Sequence, residues 1–246
     1  MTFELLLFGA ITGFTSGFFG IGGGMVLIPF LLYAGFDMKE SVSISIMQMV
    51  FSSIFGSFLN LRKQQHLIVD GLLIGMGGFM GGLFCGPIIA TLSSSTLQYM
   101  FITILILSIL KIFTTSVEHN DKVKRPNKIF LILIGMTIGM FAMSIGIGGT
   151  IMLTPLLVGF MRYNLKIATT LSLFFVVFSS IAGFISLSIS DKMLYNEGLI
   201  VGIASLVGVY FGIKVKNMVN IKSYKTSVLV LFCVILIFMV KKAFFP

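Results

Sequence analysis

Two glycine runs hold the residues of this chain best placed to do chemistry: Gly20-Ile21-Gly22-Gly23-Gly24 and Gly146-Ile147-Gly148-Gly149-Thr150. Each is followed by a proline, Pro29 and Pro155, within an apolar stretch. Glycine admits positive φ and lets a ligand come close to the main-chain amides. A helix starting there presents free N–H groups and a positive dipole end, which favour an anion. Hydroxyls recur at matched places downstream, Ser45 with Ser172, Ser52 with Ser179 and Ser53 with Ser180. Gln48 adds an amide in the first copy, where Phe175 stands in the second. The candidate contact set is therefore Gly22, Gly23, Gly24, Gly148, Gly149, Thr150, Ser45, Gln48, Ser172, Ser52 and Ser179. Glycines also serve close helix packing, and hydroxyls in apolar helices bond their own backbone. Duplication puts the glycine runs ahead of that packing account. For any single serine the packing account stays in front.

Other chemistries lack their residues. Asp70 and Glu197 match between the copies, but each begins a helix, where a negative charge is favourable anyway. Lys39 and Lys166 also match and read as solvated flanks of two mouths. No Asp, Glu, Lys or Arg is expected in the middle of a span, which argues against a cation pump. His66 and His119 fall in loops, so neither a metal site nor a nucleophile–base pair is expected. Cys85 and Cys233 sit in apolar segments without CxxC spacing and read as packing residues. No P-loop is present, and no cofactor is expected. The stripe Gly71, Gly75, Gly78, Gly82 and Gly86 has helical spacing and reads as packing.

The elements that position these residues come in duplicate. Gly13, Gly20, Gly22, Gly23, Leu27 and Pro29 recur 126 positions later as Gly139, Gly146, Gly148, Gly149, Leu153 and Pro155. After one inserted residue the offset is 127, and Phe51-Ser52-Ser53-Ile54 meets Phe178-Ser179-Ser180-Ile181. The predicted organisation is a first repeat over 1–117, a polar linker over 118–128 and a second repeat over 129–246. A glycine-broken element at the same place in each half points to a binding site between repeats.

Hydrophobic residues make up 57% of the 246 and charged residues 10%, with mean hydropathy +1.09. Several apolar stretches reach the roughly 20 residues a bilayer crossing takes. This predicts an all-α polytopic membrane protein whose partner is the lipid bilayer. Each repeat would hold a glycine-broken helical hairpin, re-entrant or kinked, plus three unbroken transmembrane helices. The net charge of +9 comes from short loops, so it reads as the positive-inside signal and not as a nucleic-acid surface. No Lys or Arg precedes Lys39, which argues against a cleavable signal peptide. If the broken elements turn back, six crossings divide Lys and Arg 13 to 4; if they cross, eight crossings divide them 10 to 7. The sharper bias favours the hairpin, with Lys214 and Lys216 counted among cytoplasmic loop residues. Three crossings per repeat would invert the halves, put both termini outside and leave 118–128 in the cytoplasm.

The repeated G-x-G-G-x(5,6)-P element, the Phe-Ser-Ser-Ile-x-Gly segments and the basic central loop resemble the sulfite exporter TauE/SafE family, also called a sulfonate-uptake permease superfamily. The resemblance covers nearly the whole chain. It implies a membrane transporter of small anions in the bacterial cell membrane, with sulfite, thiosulfate or organosulfonate as substrate, and not an enzyme. Alternating access between the repeats is the expected mechanism. An anion channel is the alternative reading, and a membrane-embedded enzyme a more distant one. A homo-oligomer is compatible with the sequence. Gly24/Thr150 and Gln48/Phe175 break the internal match, so substrate contacts need not be two-fold.

Overall fold

The structure, a computed structural model, describes residues 2–61, 68–114, 127–163, 165–219 and 221–244. The expected linker, with His119, lies almost wholly outside the described residues, as do His66 and the side chain of Lys166. Eleven helices make up the described chain: α1 (Thr2–Phe19), α2 (Gly24–Tyr33), α3 (Met38–Leu61), α4 (Ile68–Gly82), α5 (Cys85–Thr91), α6 (Ser94–Thr114), α7 (Lys128–Ser144), α8 (Thr150–Gly159), α9 (Leu165–Ile189), α10 (Tyr195–Met218) and α11 (Ile221–Phe244). In lipid an isolated segment must satisfy its backbone internally, and helices do so without partners. Seven spans are long and apolar enough to cross a bilayer. The chain is a multi-pass membrane protein.

Glycine contacts give the helix directions. A Cβ added at Gly9 would meet Val201, one at Gly13 would meet Ser205 and one at Gly17 would meet Val209, so α1 and α10 run parallel. Gly198 faces Met47 and Gly202 faces Phe51, which makes α10 parallel to α3. Hence α1 and α3 point the same way, and α2 must carry the chain back between them. Ten residues of α2 rise roughly 15 Å, about half a hydrocarbon core. The second half repeats the pattern: Gly135 and Gly139 meet Ile74 and Gly78, and Gly71 and Gly75 meet Phe174 and Phe178. Thus α7, α4 and α9 are parallel, and α8 turns back. Length alone would let α1 span by itself at 18 residues, but its direction makes it one arm of a hairpin.

Helices α3 and α9 cross at the centre in opposite directions, since Gly56 faces Leu173 while Gly183 faces Ile46. Burial falls outward from this pair: 67% of the α3 span is buried but only 22% of the α11 span. Large side chains on the outer helices, among them Leu107, Phe113, Ile203, Val207 and Ile237, are exposed in the way a lipid-facing surface requires. The stripe Gly71, Gly75, Gly78, Gly82 and Gly86 lies along α9, with Phe174, Phe175, Phe178, Ala182 and Ser186 filling the space a Cβ would take. Without a hydrophobic drive between helices, such close approach maximises dispersion contact.

Two expectations need correction. The third span of the first half is not continuous: it breaks at Leu83–Phe84 into α4 and α5. The Ser186 hydroxyl enters the break, donating to Leu83 O at 2.6 Å and accepting from Gly86 N at 2.8 Å. Pro87, in the first turn of α5, has no N–H to continue the ladder. Lys216 is not a loop residue either. It lies inside α10 and is 3% exposed, because the helix runs on through Met218 and turns Lys214 outward and Lys216 inward.

Candidate functional site

The two glycine runs meet in the interior. Gly20, Gly22, Gly23, Gly146, Gly148 and Gly149 all have positive φ, between 69° and 89°. That region costs an L-residue with a Cβ roughly 1–2 kcal/mol, which accounts for the residue type. Each run reverses the chain and starts a helix from a left-handed cap, Gly23 for α2 and Gly149 for α8. A Cβ at Gly24 would meet the carbonyl of Gly146, and one at Gly148 would lie 3.3 Å from Ile21 O. The tips therefore touch. The whole of 20–29 and of 142–151 is buried, so a ligand can reach the tips only when this packing opens.

Main-chain amides are in surplus at both tips. The first helical turns use Gly23 O and Gly149 O as acceptors for Val26, Leu27, Met152 and Leu153. Among the described residues, no backbone acceptor serves the N–H groups of Gly22, Gly23, Gly24 and Met25, nor those of Gly148, Gly149, Thr150 and Ile151. Such successive N–H groups make an anion-binding concavity, strengthened by the positive helix end.

Side chains from α3 and α9 close the tips unequally. Gln48 lies on Gly23, where a Cβ would come 2.5 Å from its Nε2 and 2.7 Å from its Oε1. Both amide atoms are buried without a hydrogen-bond partner. Each such unmet group costs about 1–3 kcal/mol in a folded interior. At the matched place on the second tip, the Phe175 ring lies on Gly149, with its Cε1 2.5 Å from where a Cβ would stand. The Thr150 hydroxyl is likewise buried and unpartnered. Ser52 donates to Gly22 O at 2.9 Å, and Ser45 donates to Val42 O and, at 3.2 Å, to Gly146 O. These two serines hold the tips in place. The Met49 sulfur lies between the tips, near Gly22, Gly24 and Gly148.

The expected set thus divides. Gly22, Gly23, Gly24, Gly148, Gly149, Thr150, Ser45, Gln48 and Ser52 come together. Ser172 stands one layer away, its hydroxyl 3.0 Å from that of Thr154. Ser179 bonds its own helix at Phe175 O and Val176 O and offers nothing to the tips. Lys39 lies within a reciprocal capping pair, Asp37 with Glu40, at the N-terminal end of α3. Asp70 begins α4 as expected and also accepts a 2.7 Å hydrogen bond from Tyr163. Thr154, Thr169, Thr170 and Lys216 were missed. For three of them the signal was a failure of the repeat: Thr154 stands where the first copy has Ile28, Thr169 where it has Val42, and Lys216 where it has Ile89, whereas Thr170 matches Ser43, a hydroxyl in both copies.

The sulfite exporter TauE/SafE family model matches residues 5–239. A probable membrane transporter protein of Methanocaldococcus jannaschii is 27% identical, over 89% of this chain and 87% of its own length. One from Haemophilus influenzae is 28% identical over 75% and 73%, and one from Bacillus subtilis is 24% identical over 95% and 93%. No solved structure matches the chain.

Proposed function

This chain belongs to the sulfite exporter TauE/SafE family of membrane transporters, and from that premise we propose that it carries a small sulfur-containing oxyanion across the cell membrane by alternating access around the two glycine tips. The observation that carries this reading is the meeting of two left-handed helix starts whose main-chain amides have no backbone acceptors, beside the unpartnered amide of Gln48. An oxyanion supplies the acceptors these donors need. Each helix N-terminus favours a negative charge by about 0.3–1 kcal/mol, more where water is excluded. No carboxylate is buried among the described residues, so nothing there competes for the donors.

The mechanism follows from the helix directions. Equivalent helices α3 and α9 run antiparallel, which supports inverted repeats with both termini on one face and the linker on the other. The hairpins then enter from opposite faces and converge near the midplane. Tilting the hairpin of α1 and α2 away from α3 frees one tip towards its own face. The equivalent motion of α7 and α8 frees the other tip towards the opposite face. Glycine at the tips lets amides contact the anion directly, and Gln48 donates an N–H from the side. The positive-inside bias makes the linker face cytoplasmic.

The test is uptake of radiolabelled sulfite, thiosulfate and an alkylsulfonate by proteoliposomes holding the full chain, with and without a pH gradient. Saturable uptake with accelerated exchange against internal substrate is expected for at least one anion. Flux that neither saturates nor exchanges marks a channel, and no flux of any of the three refutes the substrate class.

A further inference from the structure

We propose that the groove between α6, α7 and α8 holds an anionic phospholipid of the cytoplasmic leaflet, with one acyl chain in the groove and the phosphate at a basic rim. The groove has a volume of about 430 Å³ and opens sideways beside Leu107 and Phe160, which are 60% and 58% exposed. Its inner end is Ile151, the residue after the second glycine run. Its mouth is the ring pair of Phe130 and Phe160, with centroids 6.0 Å apart. From Ile151 to Phe160 the wall formed by α8 rises roughly 14 Å, about half of a 30 Å hydrocarbon core. The groove is therefore as deep as one leaflet. Ser108 donates to Ile104 O of its own helix at 2.8 Å, which leaves the wall apolar below its rim. Lipid chains are as apolar as this wall, so packing alone would favour no one lipid.

Charge at the rim supplies the preference. Lys111, in the last turn of α6, is the charged residue among those lining the groove, and it is exposed. Lys128 begins α7, two residues before Phe130, and is exposed as well. Arg162 follows α8. All three walls thus carry a cation at the same face, which the positive-inside bias makes cytoplasmic. Of the carboxylates among the described residues, Asp70 alone lies at that face, whereas Glu4, Asp37, Glu40, Asp191 and Glu197 lie at the other. A phosphodiester at headgroup level meets this rim while its chain follows the groove inward. The positive end of α7 points to the same rim and adds to the attraction. An ammonium has three donors, so each lysine can share a phosphate with its protein neighbours.

The other half of the chain shows that the architecture does not require this groove. Phe8 and Phe30 stand where Ile134 and Leu156 line it, and their rings stack at 5.2 Å across the corresponding space. Tyr33 stands where Gly159 does, and Phe238 where Lys111 does. Lys241 and Lys242 end α11 at that face, but Glu4, in the first turn of α1, takes the place of Phe130. The opposite leaflet meets a filled seam of mixed charge, and the cytoplasmic leaflet an open groove with a basic rim.

The chain contains no Trp, so a single tryptophan in the groove, Leu107→Trp, reports on the lipid beside it. The full chain is reconstituted in mixed phosphatidylcholine and phosphatidylglycerol vesicles, with quenching bromine on the chains of one lipid or the other. Quenching at Leu107→Trp is expected to show a preference for phosphatidylglycerol of about fivefold or more, the scale of one lysine at an anionic surface. Ile203→Trp, exposed on α10, is expected to show less than about twofold. Lys111→Gln with Lys128→Gln should bring the groove to the control value, whereas Lys241→Gln with Lys242→Gln should leave it unchanged. No preference at Leu107→Trp, or one that survives the loss of both rim lysines, overturns the proposal. Quenching by neither lipid also overturns it and marks the groove as the seat of a second copy of the chain. Should Leu107→Trp fail to fold, thermal unfolding read at the buried Cys85 in a Cys233→Ser background decides. Phosphatidylglycerol should then raise the melting temperature more than phosphatidylcholine does, and Lys111→Gln with Lys128→Gln should erase the difference. Equal shifts, or a difference retained without the two lysines, overturn the groove site. None of these outcomes bears on which anion is carried, so the transport reading stands or falls separately.

Discussion

Replacing Gly23 by alanine separates the two physical demands on the first tip, backbone conformation and space for Gln48. Gly23 has φ 89°, and its new methyl would lie 2.5 Å from Gln48 Nε2 and 2.7 Å from Oε1. Two other glycines isolate the parts. Gly35 has φ 98° with nothing within 4 Å, so Gly35→Ala carries the conformational cost alone, about 1–2 kcal/mol. Gly183 is helical with its nearest neighbour at 3.4 Å, so Gly183→Ala is expected to stabilise by about 0.5–1 kcal/mol. Gly23→Ala adds to the conformational cost a displaced carboxamide, about 0.5–1.5 kcal/mol for leaving its rotamer. The sum is about 1.5–3.5 kcal/mol, and at roughly 2–4 °C per kcal/mol the melting temperature falls by about 3–14 °C. The chain has no Trp to report unfolding, but Cys85 is fully buried and reacts with a thiol dye only when the bundle opens. A Cys233→Ser background removes the exposed thiol. Truncating Gln48 to alanine makes room for the methyl, so Gly23→Ala with Gln48→Ala should show a favourable coupling of about 1 kcal/mol. Equal melting shifts for Gly23→Ala and Gly35→Ala, without coupling, would refute the argument that Gln48 is seated on the tip.

Three further outcomes are expected. Single cysteines at position 2 and near the C-terminus should react with an impermeant thiol reagent in intact cells, while one at position 121 should not; labelling of position 121 from outside would refute external termini with a cytoplasmic linker. Ser52→Ala should weaken sulfite uptake about three- to tenfold by releasing Gly22 O, whereas Ser179→Ala, which loses only a bond to its own helix, should stay within about twofold. Comparable losses in both would show that the hydroxyls act through helix geometry and not through the tip. Gly75→Val should lower the amount of folded protein, because a Cβ there already lies 2.5 Å from Phe178 Cδ2, while leaving the sulfite affinity of the surviving fraction unchanged; a changed affinity would tie the stripe to the substrate path.

Much of the architecture was legible from periodicity and repetition, because membrane helices declare themselves by length and hydropathy and a duplication declares its own equivalences. The broken hairpins at Gly20–Gly24 and Gly146–Thr150 and the helical assignment of the apolar spans needed no tertiary information. The candidate contact set came from the same source, since a matched residue type at a matched place narrows the field, and most of it lies together at the two tips. Other features depended on where side chains point, which a linear pattern does not encode. Lys214 and Lys216 look alike in sequence, yet two residues on a helix differ by about 200° of rotation, so one faces outward and the other inward. Ser52 and Ser179 match by position, but the first reaches across to a neighbouring tip while the second closes on its own helix. The break between α4 and α5 has a local mark in Pro87, but the Ser186 hydroxyl that takes over its backbone partners comes from about 100 residues away. The sequence by itself determined most of the helical spans and which residues correspond between the halves, since these rest on local hydropathy and repetition. Which polar groups meet was decided only by the packing of helices from different halves, because a hydrogen bond requires two atoms within about 3 Å and that distance exists only in the folded bundle.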